Sequence, residues 1–319
     1  MIGLVMFGAT LLLLMVGFPV AFTFAGVAVI FGVLTQGVDL FGFMPYRIMS
    51  VMQNTILMAV PLFIFMGIVL QKTKLAEQLL EAMGDLFGNV RGGLAVSTIL
   101  VGSLLAASTG VVGASVVAMG VISLPVMLKH NYKKTLSTGV ICASGTLGQI
   151  IPPSIVLIIL ADVLGVPVGD LFQGAIMPSV VLVGGYIIYV LVVSYLDPQA
   201  APIFKSNKCN LGKAEKYFKV AKAIVPPISL IIAVLGSIFS GIATPTESAA
   251  VGAVGALVLA VLYQRLSWKM LQETSTETIK VTAMVFAILV ALLPFQWCLL
   301  TVVGTPWWRN LSTTYPPKR

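Results

Sequence analysis

In a chain of 319 residues, 58% are hydrophobic and only 9% carry a charge. A soluble domain carries roughly 25% charged residues, so a water-facing globule of this size is excluded. The net charge of +8 comes from loop lysines and in such a chain reports topology before it reports nucleic acid. The three cysteines, Cys142, Cys209 and Cys298, are scattered and odd in number, which argues against a disulfide framework. The single histidine, His130, lies in a charged loop and cannot anchor a transition-metal cluster alone. No zinc spacing, phosphate loop or nucleophile elbow is present, so the chain reads as no enzyme and needs no organic cofactor.

The N-terminal run has no basic n-region and reads as an anchor rather than a removable signal. The first apolar run covers residues 2 to 35. As one helix it would be about 50 Å long against a hydrocarbon core of about 30 Å, so it divides at Gly17-Phe18-Pro19. A third helix is predicted near residues 50 to 70, with Pro61 inside it. Residues 72 to 90 alternate charge and leucine at helical spacing and suit an amphipathic helix along the interface.

Residues 93 to 128 form a second over-long run, interrupted at Ala107-Ser108-Thr109-Gly110 and at Gly113-Ala114-Ser115. Basic residues flank both ends: Lys72, Lys74 and Arg91 before it, Lys129, Lys133 and Lys134 after it. A full crossing does not place positive charge on both sides of a membrane, so a re-entrant hairpin is predicted. A third run, residues 135 to 168, carries Ser144-Gly145-Thr146 and then Pro152-Pro153-Ser154. Two prolines remove two backbone donors, and the helix must unwind mid-span.

The loop from Gly165 to Asp170 lacks Lys and Arg and is placed outside. A helix over 171 to 196 returns to a loop, 197 to 222, whose lysines at 205, 208, 213, 216, 219 and 222 place it in the cytoplasm. The N-terminus then lies outside, with five crossings and one hairpin before that loop. From about residue 223, an apolar helix, glycine, proline and small-residue helix echo the pattern around Gly17 and Pro19. After an odd number of crossings, a second copy enters from the opposite face, which is an inverted repeat. The organisation expected is therefore residues 1–222 as a first repeat, 223–290 as the start of a second, and 291–319 as a tail.

Broken helices survive in a membrane where they line an enclosed cavity, because unpaired backbone groups find no water in lipid. There, free carbonyls and half-helix ends can coordinate a sodium ion. Thr109, Gly110, Ser115, Ser144, Thr146, Pro152, Pro153 and Ser154 supply hydroxyls and carbonyls at the two breaks. The competing reading is that these glycines and serines only let helices approach closely. Two breaks flanking one basic loop favour the ion site. Asp162 ends an apolar helix near the outer interface and reads as wet. Thr244, Pro245 and Glu247 read as an N-cap, a first-position proline and a capping-box acid, which is a structural role.

The ordered motifs PLFIFMG at 61 to 67, RGGLA at 91 to 95, GQIIPPSI at 148 to 155 and GIATPTESAAVG at 241 to 252 resemble the large membrane subunit of TRAP transporters. These are tripartite ATP-independent periplasmic transporters, sodium-driven importers of organic anions. The resemblance implies an all-α, inverted-repeat, elevator-type membrane protein of the bacterial cytoplasmic membrane, with a re-entrant hairpin and broken helices. It further implies sodium as the coupling ion, a periplasmic substrate-binding protein, a small four-helix membrane subunit, an organic anion as substrate, and no nucleic acid as partner. It places sodium and substrate binding at Ser108, Thr109, Gly110 and Ser115 and at Ser144, Gly145, Thr146, Pro152, Pro153 and Ser154. At the hairpin tip Val111 and Ser115 depart from the commonest pattern, in a variant similar to the mannitol/chloroaromatic subgroup. A single-component sodium-coupled anion carrier is the alternative.

A last expectation concerns the tail. Pro19 aligned with Pro245 sets the second proline break near residue ~378, so the second repeat is expected to be incomplete. After Val290 the sequence becomes rich in Trp, Pro and Arg with no membrane pattern, as a frame-shifted segment would. Restoring one G in a permitted back-translation yields a reading frame closer to the family. Such a truncated product is expected not to transport, and resequencing the gene tests that.

Overall fold

The computed structural model describes the backbone of residues 2–73, 75–87, 90–110, 112–203 and 213–314. Those residues form helices and turns, with no strand among them, as an all-α membrane protein requires. Among them Val168–Leu196, Pro245–Leu262 and Trp268–Leu299 are long and apolar enough to cross a bilayer. The chain divides into two compact units, Met1–Asn54 with Lys280–Arg319, and Thr55–Ile279.

In the first unit the opening apolar run divides as predicted, into α1 (Ile2–Val16) and α2 (Val20–Gln36). Gly17 takes φ 97°, a conformation that only glycine adopts without strain. Pro19 then opens α2 by accepting from the Thr23 backbone N–H and hydroxyl. The same unit holds α3 (Met44–Met52) and the continuation of α13 (Trp268–Thr314) beyond Ile279. Its core gathers Met6, Val27, Ala28, Phe295 and Cys298. Phe24 meets Phe295 edge to face, with ring centroids 4.8 Å apart, and Arg47 lies 5.7 Å over the Trp297 ring.

That core corrects one expectation. The chain after Val290 was predicted to lack a membrane pattern, yet residues 291–299 continue an apolar helix, and Phe295 and Cys298 are buried. A second correction concerns residues 50 to 70. They are not one helix: α3 stops at Met52, a 3-10 turn covers Ile56–Met58, and α4 (Ala59–Lys72) begins afterwards. Pro61 lies in the first turn of α4, where its missing N–H has no intrahelical partner to lose.

The second unit is built around α4, whose Val60, Phe63, Ile64, Met66 and Val69 are almost fully buried. On one side α12 (Pro245–Leu262) packs against it; a Cβ on Gly252 would stand 2.7 Å from Met66 Sδ, so glycine sets the approach of these helices. Between α12 and α11 (Lys213–Phe239), Ser237 and Ser248 hydroxyls bond at 2.8 Å. On the other side lies a hairpin, α6 (Gly93–Thr109) and α7 (Val112–Lys129). The amphipathic stretch predicted over 72 to 90 forms α5 (Leu75–Phe87). Its Leu79, Leu80 and Met83 are buried in one cluster with Leu94 and Ile99 of α6, so protein rather than bilayer interface covers its apolar stripe. The basic segment 197–222 is not all loop, because α11 begins at Lys213; Lys205 and Lys208 lie outside the described residues.

Candidate functional site

The third apolar run breaks where its prolines dictate. Helix α8 (Lys134–Thr146) tightens into a 3-10 turn, Leu147–Gln149, and the chain bends through residues 150–153 before an extended Ser154 opens α9 (Ile155–Leu164). Ser154 fastens both ends of this gap. It is the N-cap of α9, its Oγ accepting from the Leu157 N–H at 3.4 Å and donating to Gln149 O at 2.6 Å. Pro152, Pro153 and Ser154 are all buried. Helix α10 (Val168–Leu196) supplies a further support: Ser179 Oγ donates to Ala175 O at 2.7 Å and lies 3.1 Å from Ile150 O. Among the described residues no hydrogen bond reaches the carbonyls of Ile151, Pro152 or Pro153. Among the described residues these three carbonyl dipoles therefore lack a donor, two of them on buried prolines.

The hairpin tip meets the far side of this break. Gly110 ends α6 with φ 62° and donates its N–H to Ala106 O at 2.9 Å. A Cβ there would stand 3.0 Å from Ile155 Cγ1 and Cδ1 and 3.4 Å from Ile155 N, so the tip abuts the first residue of α9. Lower down, the 3-10 turn lies against α6 backbone to backbone: a Cβ on Gly148 would be 2.3 Å from Ala106 O. A Cβ on Gly145 would be 3.0 Å from Val116 N and Cα, in α7. The hairpin and the broken helix therefore form one block, held at close range by glycines.

The predicted residues divide over this geometry. Gly110, Pro152, Pro153 and Ser154 come together at tip and break. Gly145 serves the close approach of α8 to α7. Ser144 is buried, donates to Ile141 O at 3.0 Å, and faces Gly102 of α6, where a Cβ would be 2.5 Å from its Oγ; it packs against the hairpin. Thr146 is exposed and donates to Ala143 O at 2.9 Å. Ser115 is buried in α7, which runs from Val112 without the second interruption expected at Gly113-Ala114-Ser115. The side chains of Ser108 and Thr109, and residue Val111, lie outside the described residues, although Thr109 is the last helical residue of α6. The Asp162 carbonyl accepts from the Gly165 N–H at the end of α9.

Thr244, Pro245 and Glu247 form the predicted capping box: the Glu247 N–H donates to Thr244 Oγ1 at 3.3 Å and the Thr244 N–H to Glu247 Oε2 at 2.7 Å. The structure adds a residue that the sequence did not single out. Thr246 Oγ1 donates to Thr55 O at 2.9 Å, so the first turn of α12 holds the backbone that leads into α4. Ser179 was missed in the same way; its only sequence signal is Pro178 before it, inside an apolar helix.

The profile of a known family, described as tripartite ATP-independent periplasmic transporter, DctM component, matches residues 7–312. Among curated relatives, the C4-dicarboxylate TRAP transporter large permease protein DctM of Pseudomonas aeruginosa is 30% identical over 80% of this chain and 58% of its own length. The ectoine TRAP transporter large permease protein TeaC of Halomonas elongata is 29% identical over 89% of this chain and 66% of its own. The sialic acid TRAP transporter large permease protein SiaM of Vibrio cholerae is 29% identical over 89% of this chain and 65% of its own. The chain thus spans about three fifths of the length of these relatives. With motifs, helix breaks and profile in agreement over nearly its whole length, this chain belongs to the DctM-component family of tripartite ATP-independent periplasmic transporters.

Proposed function

We propose that this chain acts as the large permease subunit of a sodium-driven, binding-protein-dependent secondary importer of organic acid anions in the bacterial cytoplasmic membrane. A periplasmic binding protein delivers the solute, and a small four-helix subunit completes the membrane part. The observation that carries the reading is the set of carbonyls at Ile151, Pro152 and Pro153 to which no described residue donates, in a largely buried break beside the hairpin tip at Gly110. Carbonyl oxygens and half-helix ends suit a desolvated monovalent cation, and no phosphate-binding loop offers ATP as an alternative energy source. Named solutes among the relatives are a C4-dicarboxylate, ectoine and sialic acid. Such different solutes on similar permeases support selection by the binding protein, with the cation site as the common part. Hairpin and broken helix move together in this reading, as an elevator-type block, because glycine contacts fix one on the other.

The test is thermal unfolding of the purified chain in mild detergent, titrated with sodium chloride against choline chloride at equal ionic strength. A ligand at ten times its Kd stabilises the folded state by about 1.4 kcal/mol. Sodium should therefore raise the unfolding temperature where choline does not, and Ser154→Ala, which loosens the break, should shift the titration to higher sodium. Superimposable sodium and choline curves would remove the cation site from the proposal.

A further inference from the structure

Away from the break, a cavity of about 650 Å³ opens between α6, α8 and α10. Its wall is apolar, formed by Ile99, Leu136, Val140, Val190 and Val193, with Tyr186 beside them. Polar groups are gathered at one end, where Lys133 and Asp197 form an ion pair. The Lys133 ammonium holds the Asp197 carboxyl below the usual carboxylate range. An ammonium has three donors and Asp197 engages one of them. The Lys133 side chain stays half exposed in the pair.

Three features define an occupant. The cavity is apolar along its length and charged at one end, which matches an amphiphile and not a small polar solute. It lies along about the last three turns of α10, a helix long and apolar enough to cross the bilayer, so hydrocarbon chains are the apolar material at hand; Tyr189 on its rim is 63% exposed. Finally, further basic residues adjoin the charged end along the chain. Lys129 ends α7, Lys133 and Lys134 open α8, and Arg91 precedes α6 in a turn whose Gly92 would carry a Cβ 3.5 Å from Val190 of the cavity wall. Basic clusters between membrane helices attract phosphate headgroups.

We propose that this cavity is a binding site for an anionic phospholipid, with one acyl chain between α8 and α10 and the headgroup phosphate on Lys133. The Lys133–Asp197 pair then orients the ammonium at the mouth, and the neighbouring lysines favour an anionic over a zwitterionic headgroup. This site is separate from the proposed cation site and does not rest on it.

Glycine 139 offers a clean perturbation, because a Cβ there meets no atom within 4 Å and a larger side chain would grow into the cavity. The purified full chain is incubated in mild detergent with dioleoyl phosphatidylglycerol, dioleoyl phosphatidylcholine or glycerol 3-phosphate, and bound molecules are counted by native mass spectrometry. Wild type should retain phosphatidylglycerol at least about tenfold better than phosphatidylcholine. Gly139→Leu should lower that retention about tenfold, and Lys133→Gln should bring it down to the phosphatidylcholine level. Asp197→Asn, which keeps both lysine and cavity, should retain the lipid. Thermal unfolding of each variant ensures that folded chains are compared. Equal retention of the two lipids by wild type, undiminished retention by folded Gly139→Leu, or displacement of the lipid by glycerol 3-phosphate would overturn the assignment.

Discussion

Replacing Gly148 with alanine places one methyl group where the block formed by hairpin and broken helix is tightest. The added Cβ would lie 2.3 Å from Ala106 O, 2.6 Å from its carbonyl carbon and 2.8 Å from its Cα. All three are backbone atoms of α6, so no rotamer change relieves the contact. Restoring ordinary van der Waals distance requires the 3-10 turn to move off α6 by about 1 Å, and overpacking of this kind costs about 1–3 kcal/mol. The intrinsic gain of alanine over glycine in helical backbone, about 1 kcal/mol, offsets part of this. The net loss, centred on about 1 kcal/mol, corresponds to a fall of about 2–4 °C in unfolding temperature for a unit of this size. The same displacement shifts Ile150–Ser154 relative to Gly110, so the sodium titration should move to higher concentration as well. Gly139→Ala is the matched control, since its Cβ meets nothing; it should be neutral or stabilising by up to about 1 kcal/mol. Both are read by thermal unfolding in detergent with and without sodium. A Gly148→Ala protein as stable as wild type, with an unchanged sodium response, would refute the close-packing argument for this block.

Two further outcomes are expected. Thr244→Ala and Glu247→Ala each break the reciprocal capping box at the start of α12, and each should cost about 1 kcal/mol, with the double variant little worse than either single one; fully additive losses in thermal unfolding would mean that the two side chains do not act as a pair. Positive charge places the turn at His130 in the cytoplasm and the charge-poor start of α10 outside, so with the native cysteines replaced, an impermeant thiol reagent added to intact cells should label Asp170→Cys and miss His130→Cys, and the opposite pattern would invert the topology.

What could be read from the sequence, and what could not, follows the nature of each signal. Pro19, the Pro152-Pro153 pair and Pro245 fix φ or remove donors wherever they occur, so the breaks beside them were visible without neighbours. The capping box at Thr244 and Glu247 is equally local, three residues apart on one chain. The interruption between Met52 and Ala59 has no such mark: Gln53, Asn54 and Thr55 contain neither glycine nor proline, and Thr246 holds the Thr55 carbonyl from 191 positions away. Lysines at 213 to 222 report on which side of a membrane they lie, a property of charge that is silent on backbone conformation, and α11 accordingly begins inside that segment.

The serines and glycines of the site show the same division. Composition allowed them two rival roles, cation ligand or close packing, and the structure gives residues of one type different contacts. Ser154 spans the break through bonds to Gln149 and Leu157, whereas Ser144, ten positions earlier, faces Gly102 across a helix contact. Spacing along a broken helix cannot distinguish these two serines, because the break resets the helical phase between them. The close-packing glycines are not an alternative to the site. Gly145 and Gly148 seat α8 and its 3-10 turn on the hairpin, and Gly110 brings the tip to Ile155, so the carbonyls of Ile151 to Pro153 are held beside the tip only because the small residues permit the approach. A substitution at Gly148, which has no atom to offer a cation, is therefore expected to weaken the same titration as one at Ser154.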